Sequence, residues 1–153
     1  MPISKRINKI GASPTMKIAA EAKQMQARGE NVIDLSVGEP DFSTPQNVKD
    51  AAKRAIDNNQ THYTLNNGTV ELRTAISQKL KRDNGIDYLP NDIIVSTGAK
   101  QSLYNAVQSL VHDNDGVIIP APYYVSYPEM VTLAQGQSII ISTTEETEFK
   151  LTP

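Results

Sequence analysis

The stretch that decides the fold is IIVSTGAKQS, residues 93–102. Three β-branched residues predict a strand, the small residues around Gly98 predict a tight turn, and the apolar spacing that follows predicts a helix. Amide groups at a helix start attract anions together with the helix dipole, and Lys100 adds a full positive charge. The turn is therefore a candidate phosphate site, although its spacing matches neither the ATP-binding loop nor the dinucleotide fingerprint. An ordinary strand-to-helix turn is the alternative that these residues leave open.

Apolar runs and helical periodicity alternate along the rest of the chain. Strands are predicted for four continuous apolar runs, at residues 32–35, 93–95, 117–119 and 139–141. Helices with an apolar face are predicted for five segments, at residues 14–28, 45–56, 69–84, 98–111 and 124–134. Continuous apolar strands are typical of a parallel sheet that is covered on both faces. The alternation predicts an α/β fold.

The composition is that of an ordinary globular protein. The chain has 153 residues, of which 39% are hydrophobic and 21% are charged, and its net charge is -2. These values exclude a disordered tail, and the missing basic excess argues against a nucleic-acid binder. No apolar run approaches the ~18–20 residues of a membrane-spanning helix, and the N-terminus lacks the apolar stretch of a signal peptide. We expect a cytoplasmic protein without nucleic-acid or membrane partners.

Metal and thiol chemistry have no support in the sequence. The chain contains no cysteine, which excludes disulfides, thiolate metal sites and a cysteine nucleophile. His62 and His112 lie far apart and lack a third ligand. No metal site is predicted.

Two further loops carry residues suited to ligand binding. The loop APYYVSYP, residues 121–128, follows a predicted strand and offers three tyrosine rings. The loop GEPDFSTP, residues 38–45, follows another, and Gly38 would let the backbone approach a ligand closely. Ligands of open α/β sheets bind beyond the carboxyl ends of the strands, so these loops and the Gly98 turn could face one crevice. Packing aromatics and a plain connection into the next helix are the alternatives.

Taken together and in this order, the motifs resemble the N-terminal part of class I aminotransferases, closest to the bacterial aspartate aminotransferase branch. The matching motifs are SPT (13–15), GEPDF (38–42), His62-Tyr63, TGAKQ (97–101) and PYYVSYP (122–128). The resemblance covers essentially the whole chain. It implies a fold-type I enzyme, pyridoxal 5′-phosphate as cofactor, amino-acid and 2-oxo-acid substrates, and a homodimer.

The resemblance also implies residues that bind the cofactor. Gly98, Ala99 and Lys100 look like the turn that receives the cofactor phosphate. Tyr124 stands where the family has an aromatic residue, often tryptophan, stacked on the pyridine ring. Tyr63 looks like the tyrosine that crosses the dimer interface to the phosphate of the neighbouring subunit.

Substrate groups are implied in the same way. Gly38 looks like the glycine whose backbone helps to hold the substrate α-carboxylate. Lys100 lies near a distal carboxylate in this branch, which points to acidic substrates, and Tyr124 borders the substrate site as well as the ring. Transamination of aspartate with 2-oxoglutarate is the expected reaction. The alternatives are aromatic amino-acid transamination, another reaction of the same cofactor such as C–S cleavage, and a truncated binding fragment without activity.

The catalytic residues of the family are not expected in this chain. In family members, the Schiff-base lysine, the aspartate at the ring nitrogen and the arginine for the α-carboxylate follow later than the position of Pro153. We therefore expect residues 1–45 to form the N-terminal arm and a small-domain segment. Residues 46–153 would form the front part of an incomplete large domain. The chain alone is expected to be inactive.

Overall fold

The computed structural model describes residues 3–151 and contains helices and a small parallel sheet. The α-helices are α1 (Pro14–Ala27), α2 (Gln46–Asp57), α3 (Val70–Lys79), α4 (Ala99–Leu110) and α5 (Ser126–Leu133). The strands are β1 (Gly116–Ala121) and β2 (Gln137–Ser142). Short 3-10 helices cover Ile7–Lys9, Pro90–Asp92 and Glu145–Thr147, and a π-helical turn covers Leu80–Asn84.

The described residues form two compact units. The first combines the residues up to Glu39 with those from Leu103 onward, and the second runs from Pro40 to Ser102. The boundary falls inside α4, so the start of that helix belongs to the second unit. The expected division at residue 45 concerns the domains of a complete enzyme and stays a prediction.

One expectation falls at the C-terminal end of the chain. The Schiff-base lysine is expected after Pro153, and Pro153 itself lies outside the described residues. The structure therefore does not test where the catalytic residues lie, and their position after Pro153 stays a prediction.

The first unit is built around a strand–helix–strand motif. β1 and β2 pair in parallel, from Gly116 opposite Gln137 to Ala121 opposite Ser142. Ile119 of β1 is buried together with Met130 and Val131 of α5, the helix that connects the two strands. A parallel pair needs such a crossover, so the sheet and α5 form one packing unit. The predicted strands at 117–119 and 139–141 and their parallel direction are confirmed.

Hydroxyl caps fix the start of two helices, and a glycine ends the helical turn after one of them, close to the predicted positions. The Ser13 hydroxyl accepts from the N–H of Met16 at 3.5 Å, and the Thr69 hydroxyl accepts from the N–H of Leu72 at 3.3 Å. Gly85 ends the π-helical turn after α3 with a φ of +67°, a conformation that favours glycine. These caps explain why the first and third helices begin at or within one residue of the predicted positions.

Other boundaries differ from the prediction. The helix predicted to begin at residue 45 begins one residue later: Pro45 takes the cap position, with φ -53° and ψ 143°, and α2 begins at Gln46. α5 begins at Ser126, two residues after the predicted start. The residues before α5 are held in the loop that follows β1.

The predicted strands at residues 32–35 and 93–95 are wrong for the described chain. Neither run pairs with another strand among residues 3–151. A β-branched run becomes a strand only where a neighbouring strand satisfies its backbone groups. In the second run, the N–H of Val95 donates instead to the carbonyl of Asn67 at 3.1 Å.

Much of the apolar surface is uncovered. The apolar face predicted for α2 is exposed at Val48 and Ile56. The chain exposes 12813 Å² of accessible surface. Two compact globular proteins, each of half its mass, would together expose only roughly 9,000 Å². The excess surface belongs to helix and sheet faces that these residues do not cover.

We predict that Gly136→Ala destabilises the first unit. An added Cβ would lie 2.6 Å from Cγ1 of Val111 and 3.1 Å from the carbonyl oxygen of Asp115, which cannot move without disturbing the turn before β1. The expected loss is about 1–3 kcal/mol in the free energy of unfolding, measured by urea titration. Gly11→Ala is the matched control, because its Cβ would meet only the end of the Glu129 side chain at 3.8 Å. Equal stability of the two variants would contradict the prediction.

Candidate functional site

Residues 96–101 form the predicted phosphate turn through backbone hydrogen bonds. Gly98 has a φ of +81°, and nothing lies within 4 Å of the position that a Cβ would take. Its N–H donates to the carbonyl of Ser96 at 2.8 Å, and its own carbonyl accepts from the N–H of Gln101 at 3.2 Å. α4 then begins at Ala99. The reversal needs glycine for its backbone conformation, and the space beside the α-carbon is open.

Gln101 fixes the turn from inside the first turn of α4. Its side-chain Oε1 accepts a hydrogen bond from the N–H of Thr97. A glutamine at the third helical position that accepts from an amide just before the helix resembles one half of a capping box. The shape of the turn is therefore maintained by its own residues.

The start of α4 has the chemistry of an anion site. The N–H of Ala99, at the first helical position, has no acceptor within the helix itself, and the helix dipole places partial positive charge there. Lys100 is exposed at the next position and adds a unit charge. The hydroxyls of Ser96 and Thr97 are further donors on the same turn. This set of donors suits a phosphate group.

Tyr124 lies in the loop after β1, with its ring against the ring of Tyr127. The ring centroids are 5.7 Å apart and the planes meet at 71°, which is an edge-to-face pair. The N–H of Tyr127 donates to the carbonyl of Tyr124 at 3.0 Å. Tyr124 remains 49% exposed. The pair orients the ring and leaves about half of the Tyr124 side chain exposed.

Gly38 follows a turn that a carboxylate closes. Asp34 Oδ1 accepts from the hydroxyl of Ser36 at 2.5 Å and from its N–H at 2.9 Å. These bonds, the hydroxyl bond first, hold the pKa of Asp34 below its ordinary value of 3.8, and the charge of Lys23 acts in the same direction. Gly38 has open space beside its α-carbon and does not have a positive φ. Open access, rather than backbone freedom, is what glycine provides there.

Tyr63 is fully exposed in the loop between α2 and α3. A turn follows, in which the N–H of Gly68 donates to the carbonyl of Leu65 at 2.9 Å. Gly68 has a φ of +97°, and a Cβ there would lie 2.6 Å from the side chain of Val95. The turn after Tyr63 therefore packs tightly against the segment that leads into the Gly98 turn.

The structure brings some of the predicted residues together. Gly98, Ala99 and Lys100 are consecutive in one turn, and Tyr63 belongs to the same unit. Gly38 and Tyr124 belong to the other unit. The roles implied for these six residues stay predictions, as does the shared crevice.

Sequence reasoning missed two residues that shape the second unit. Arg73 is buried in α3, and Gln101 holds the turn before α4. A signal existed for both. Arg73 lies on the same helical stripe as Ile76 and Leu80, where a charge is unusual, and Gln101 occupies the capping-box position.

The described part of the chain lacks both a metal-binding cluster and a membrane-spanning helix. Among residues 3–151, no three or more His, Asp or Glu side chains cluster in a way that could hold a metal ion. In that same part of the chain, no helix combines the length and apolar character that crossing a membrane requires.

We predict that Asp34 titrates below pH 3.8 and that Ser36→Ala raises its pKa towards that value, because the hydroxyl hydrogen bond, the largest contribution, is removed. A lowered pKa means that the contact stabilises the folded turn above pH 3.8 and that this contribution is lost as the pH falls through the folded-state pKa. The measurement is an NMR titration of the Asp34 side-chain carboxyl carbon. Ser36→Thr keeps the hydroxyl and serves as the control. An Asp34 midpoint at or above 3.8 in the unchanged chain would disprove the assignment.

The chain matches one family of enzymes over most of its length. The family described as "Aminotransferase class I and II" matches residues 30–153. The aspartate/prephenate aminotransferase of Nitrosomonas europaea is 46% identical over 153 residues, which are 100% of this chain and 38% of that protein. The aspartate aminotransferase of Bacillus subtilis is also 46% identical over 153 residues, covering 100% of this chain and 39% of the relative.

Solved structures agree with the sequence matches. The aspartate aminotransferase from Rhizobium meliloti has a TM-score of 0.93 at 43% identity, covering 99% of this chain and 38% of that one. The Thermus thermophilus aspartate aminotransferase with maleate has a TM-score of 0.93 at 39% identity, covering 97% and 39%. The chain thus spans less than two-fifths of the length of these relatives, and the predicted fold-type I class is confirmed for the part that it spans. Family match, identity and fold agree, and the chain belongs to the class I and II aminotransferase family.

Proposed function

We propose that this chain forms the cofactor- and substrate-positioning part of an aminotransferase that transfers the amino group of aspartate to 2-oxoglutarate. The turn at Gly98 carries the proposal, because its donors and positive charge suit a phosphate group. Family membership supports it, and the relatives from N. europaea and B. subtilis have aspartate in their names. Since the chain spans 38–39% of those relatives, the activity of the whole protein is part of the proposal.

Enzymes of this family use pyridoxal 5′-phosphate. When bound, this cofactor draws electrons away from the α-carbon of the amino acid, so that the α-proton can leave. Taken one group at a time, residues of this chain suit the separate parts of such a molecule. The open space beside Gly98 and the first-turn amide of Ala99 suit its phosphate, and the half-exposed ring of Tyr124 suits its pyridine ring.

In the proposed function, this chain's residues bind and orient rather than react. The amide of Ala99 and the ammonium group of Lys100 hold the phosphate, and Gly98 keeps the turn open for it. Tyr124 stacks on the ring, with its tilt set by Tyr127. Fixing a reactant in one orientation lowers the barrier to the later steps, because less entropy is lost on reaction.

Substrate recognition follows from the same groups. The backbone at Gly38 takes part in holding the α-carboxylate, and the open space beside its α-carbon supports this assignment. Lys100 faces the distal carboxylate of an acidic substrate, and Tyr124 borders the amino acid. An ammonium charge favours aspartate or glutamate over neutral amino acids.

A homodimer is part of the proposal. Tyr63 would reach the cofactor phosphate of the neighbouring subunit, and its full exposure in this chain supports such a role. The division into an arm with a small-domain segment, residues 1–45, and a large-domain segment, residues 46–153, belongs to the same proposal.

The alternatives differ in substrate or in the need for catalysis. Prephenate is a second amino-group acceptor to consider, because the N. europaea relative is named for it. Aromatic amino-acid transamination and C–S cleavage would use the same phosphate turn. A binding fragment without activity would keep the phosphate turn but catalyse no reaction.

We predict that the complete polypeptide containing residues 1–153, supplied with pyridoxal 5′-phosphate, converts aspartate and 2-oxoglutarate into oxaloacetate and glutamate. The isolated 153-residue chain should not, because the residues that bond the cofactor and pair with its ring nitrogen are expected after Pro153. Coupled assays measure both products, with prephenate, tyrosine and a cysteine S-conjugate as comparison substrates. Turnover by the isolated chain would refute the assignment of a positioning role. Faster turnover of tyrosine or of the S-conjugate by the complete polypeptide would overturn the choice of substrate.

We predict that Lys100→Ala weakens the binding of pyridoxal 5′-phosphate about 10- to 100-fold, because a charge-assisted hydrogen bond is lost. Affinity is measured by equilibrium dialysis of the cofactor-free complete polypeptide. Lys53→Ala, which removes an exposed lysine of α2, is the matched control. A raised KM for aspartate with unchanged cofactor affinity would instead assign Lys100 to the substrate alone.

A further inference from the structure

Arg73 is the buried charged side chain of the described chain, with 3% of its surface exposed. Its Nε donates to the carbonyl of Gly68 at 3.2 Å. Its Nη1 donates to the carbonyl of Pro90 at 2.8 Å and to Oδ1 of Asn91 at 3.3 Å. All three acceptors are neutral, so the guanidinium group acts as a branched hydrogen-bond donor rather than as half of an ion pair.

These bonds tie two loops to α3. Gly68 ends the turn after Tyr63, while Pro90 and Asn91 lie in the short helix before residue 93. The second loop is also held by the hydroxyl of Ser77 in α3, which donates to the carbonyl of Tyr88 at 2.6 Å. Without the guanidinium group, the acceptors at Gly68 and Pro90 would lose these bonds, and burial makes unpaired groups costly.

Both segments border the candidate phosphate turn: the one at Pro90 precedes it in the chain, and the one at Gly68 packs against Val95 just before it. The carbonyl of Asn67 accepts from the N–H of Val95 at 3.1 Å, and Gly68 leaves no space for a Cβ against the Val95 side chain. Val95 is followed by residues 96–98, which form the turn. A shift of Gly68 or of Pro90 would therefore displace the segment from which the turn is built.

We propose that Arg73 is a positioning residue for cofactor binding: by joining the loop after Tyr63 to the segment before Gly98, it sets the position of the phosphate turn without touching the phosphate. The inference rests on the function proposed above. It predicts a specific effect of changing Arg73: a displaced phosphate turn should weaken binding of the cofactor phosphate more than binding of the pyridine ring.

The test compares pyridoxal 5′-phosphate with pyridoxal, which lacks the phosphate, in the complete cofactor-free polypeptide. The dissociation constant of pyridoxal divided by that of pyridoxal 5′-phosphate measures how much the phosphate contributes to binding. Arg73→Met should reduce this ratio about tenfold or more, since small misplacements of binding groups have effects of that order. Arg73→Lys keeps the charge but cannot reproduce the branched donor, so it should recover only part of the ratio.

A second pair of variants keeps the test decisive if Arg73→Met fails to fold. Gly68→Ala and Gly85→Ala both place a Cβ at positive φ, +97° and +67°, but only the first meets the Val95 side chain, because nothing lies within 4 Å at Gly85. Both variants should lose stability from backbone strain. Only Gly68→Ala should also reduce the phosphate contribution, by about tenfold.

The outcomes separate this inference from the function on which it rests. If the unchanged polypeptide binds both compounds equally, the phosphate turn is wrongly assigned and both proposals fail. If it prefers the phosphorylated compound and the folded Arg73 and Gly68 variants keep that preference, Arg73 has a purely structural role and only this inference is overturned. A reduced ratio in folded Arg73→Met supports it; where that variant does not fold, a reduced ratio in Gly68→Ala with an unchanged ratio in Gly85→Ala supports it.

Discussion

Limited apolar burial governs what this chain can build by itself. Within residues 3–151, the buried apolar side chains are Ala19, Ala22, Ile119, Met130 and Val131. The strand–helix–strand motif accounts for three of these, and the second unit depends instead on hydrogen bonds around Arg73. Apolar burial is the main favourable term in folding, so a segment with so few buried side chains depends strongly on its directional contacts. The exposed faces of α2 and of the β1–β2 sheet follow from the same shortage.

The shape of the candidate phosphate turn is independent of that shortage because its internal bonds are local. Gly98, Ala99 and Lys100 are consecutive, and the bonds that shape their turn join residues no more than four positions apart. The internal shape of the turn is therefore set by its own residues, whereas its position depends on the segment at Val95, which Asn67 and Gly68 contact. Groups that must come from separate parts of a fold, such as Gly38 and Tyr63, need packing that these residues do not supply, and for that reason their roles stay proposals.

Features set by neighbouring residues could be predicted from the sequence, and features that depend on distant residues could not. Helix starts at Ser13 and Thr69 were predictable, because a hydroxyl cap acts within three residues. The strand at 117–119 was predictable because its partner, 139–141, lies within the chain. The run at 32–35 is also apolar and β-branched at its start but has no partner strand among the described residues, and propensity alone cannot show that. Arg73 was missed because an arginine in a helix is ordinarily exposed, and only the positions of Gly68 and Pro90 show why this one is buried.

The bond from Thr97 to Gln101 restricts how this sequence can change. A glutamate at position 101 would offer the same acceptor to the Thr97 amide, as glutamate does in many capping boxes, but it would place a negative charge next to Lys100. An asparagine would be one methylene group shorter. If the turn binds an anion as proposed, the residue must accept a hydrogen bond at that reach and carry no charge, which among the common side chains favours glutamine. Selection at this position would act on charge and length together, through a side chain whose partner is the backbone of its own turn.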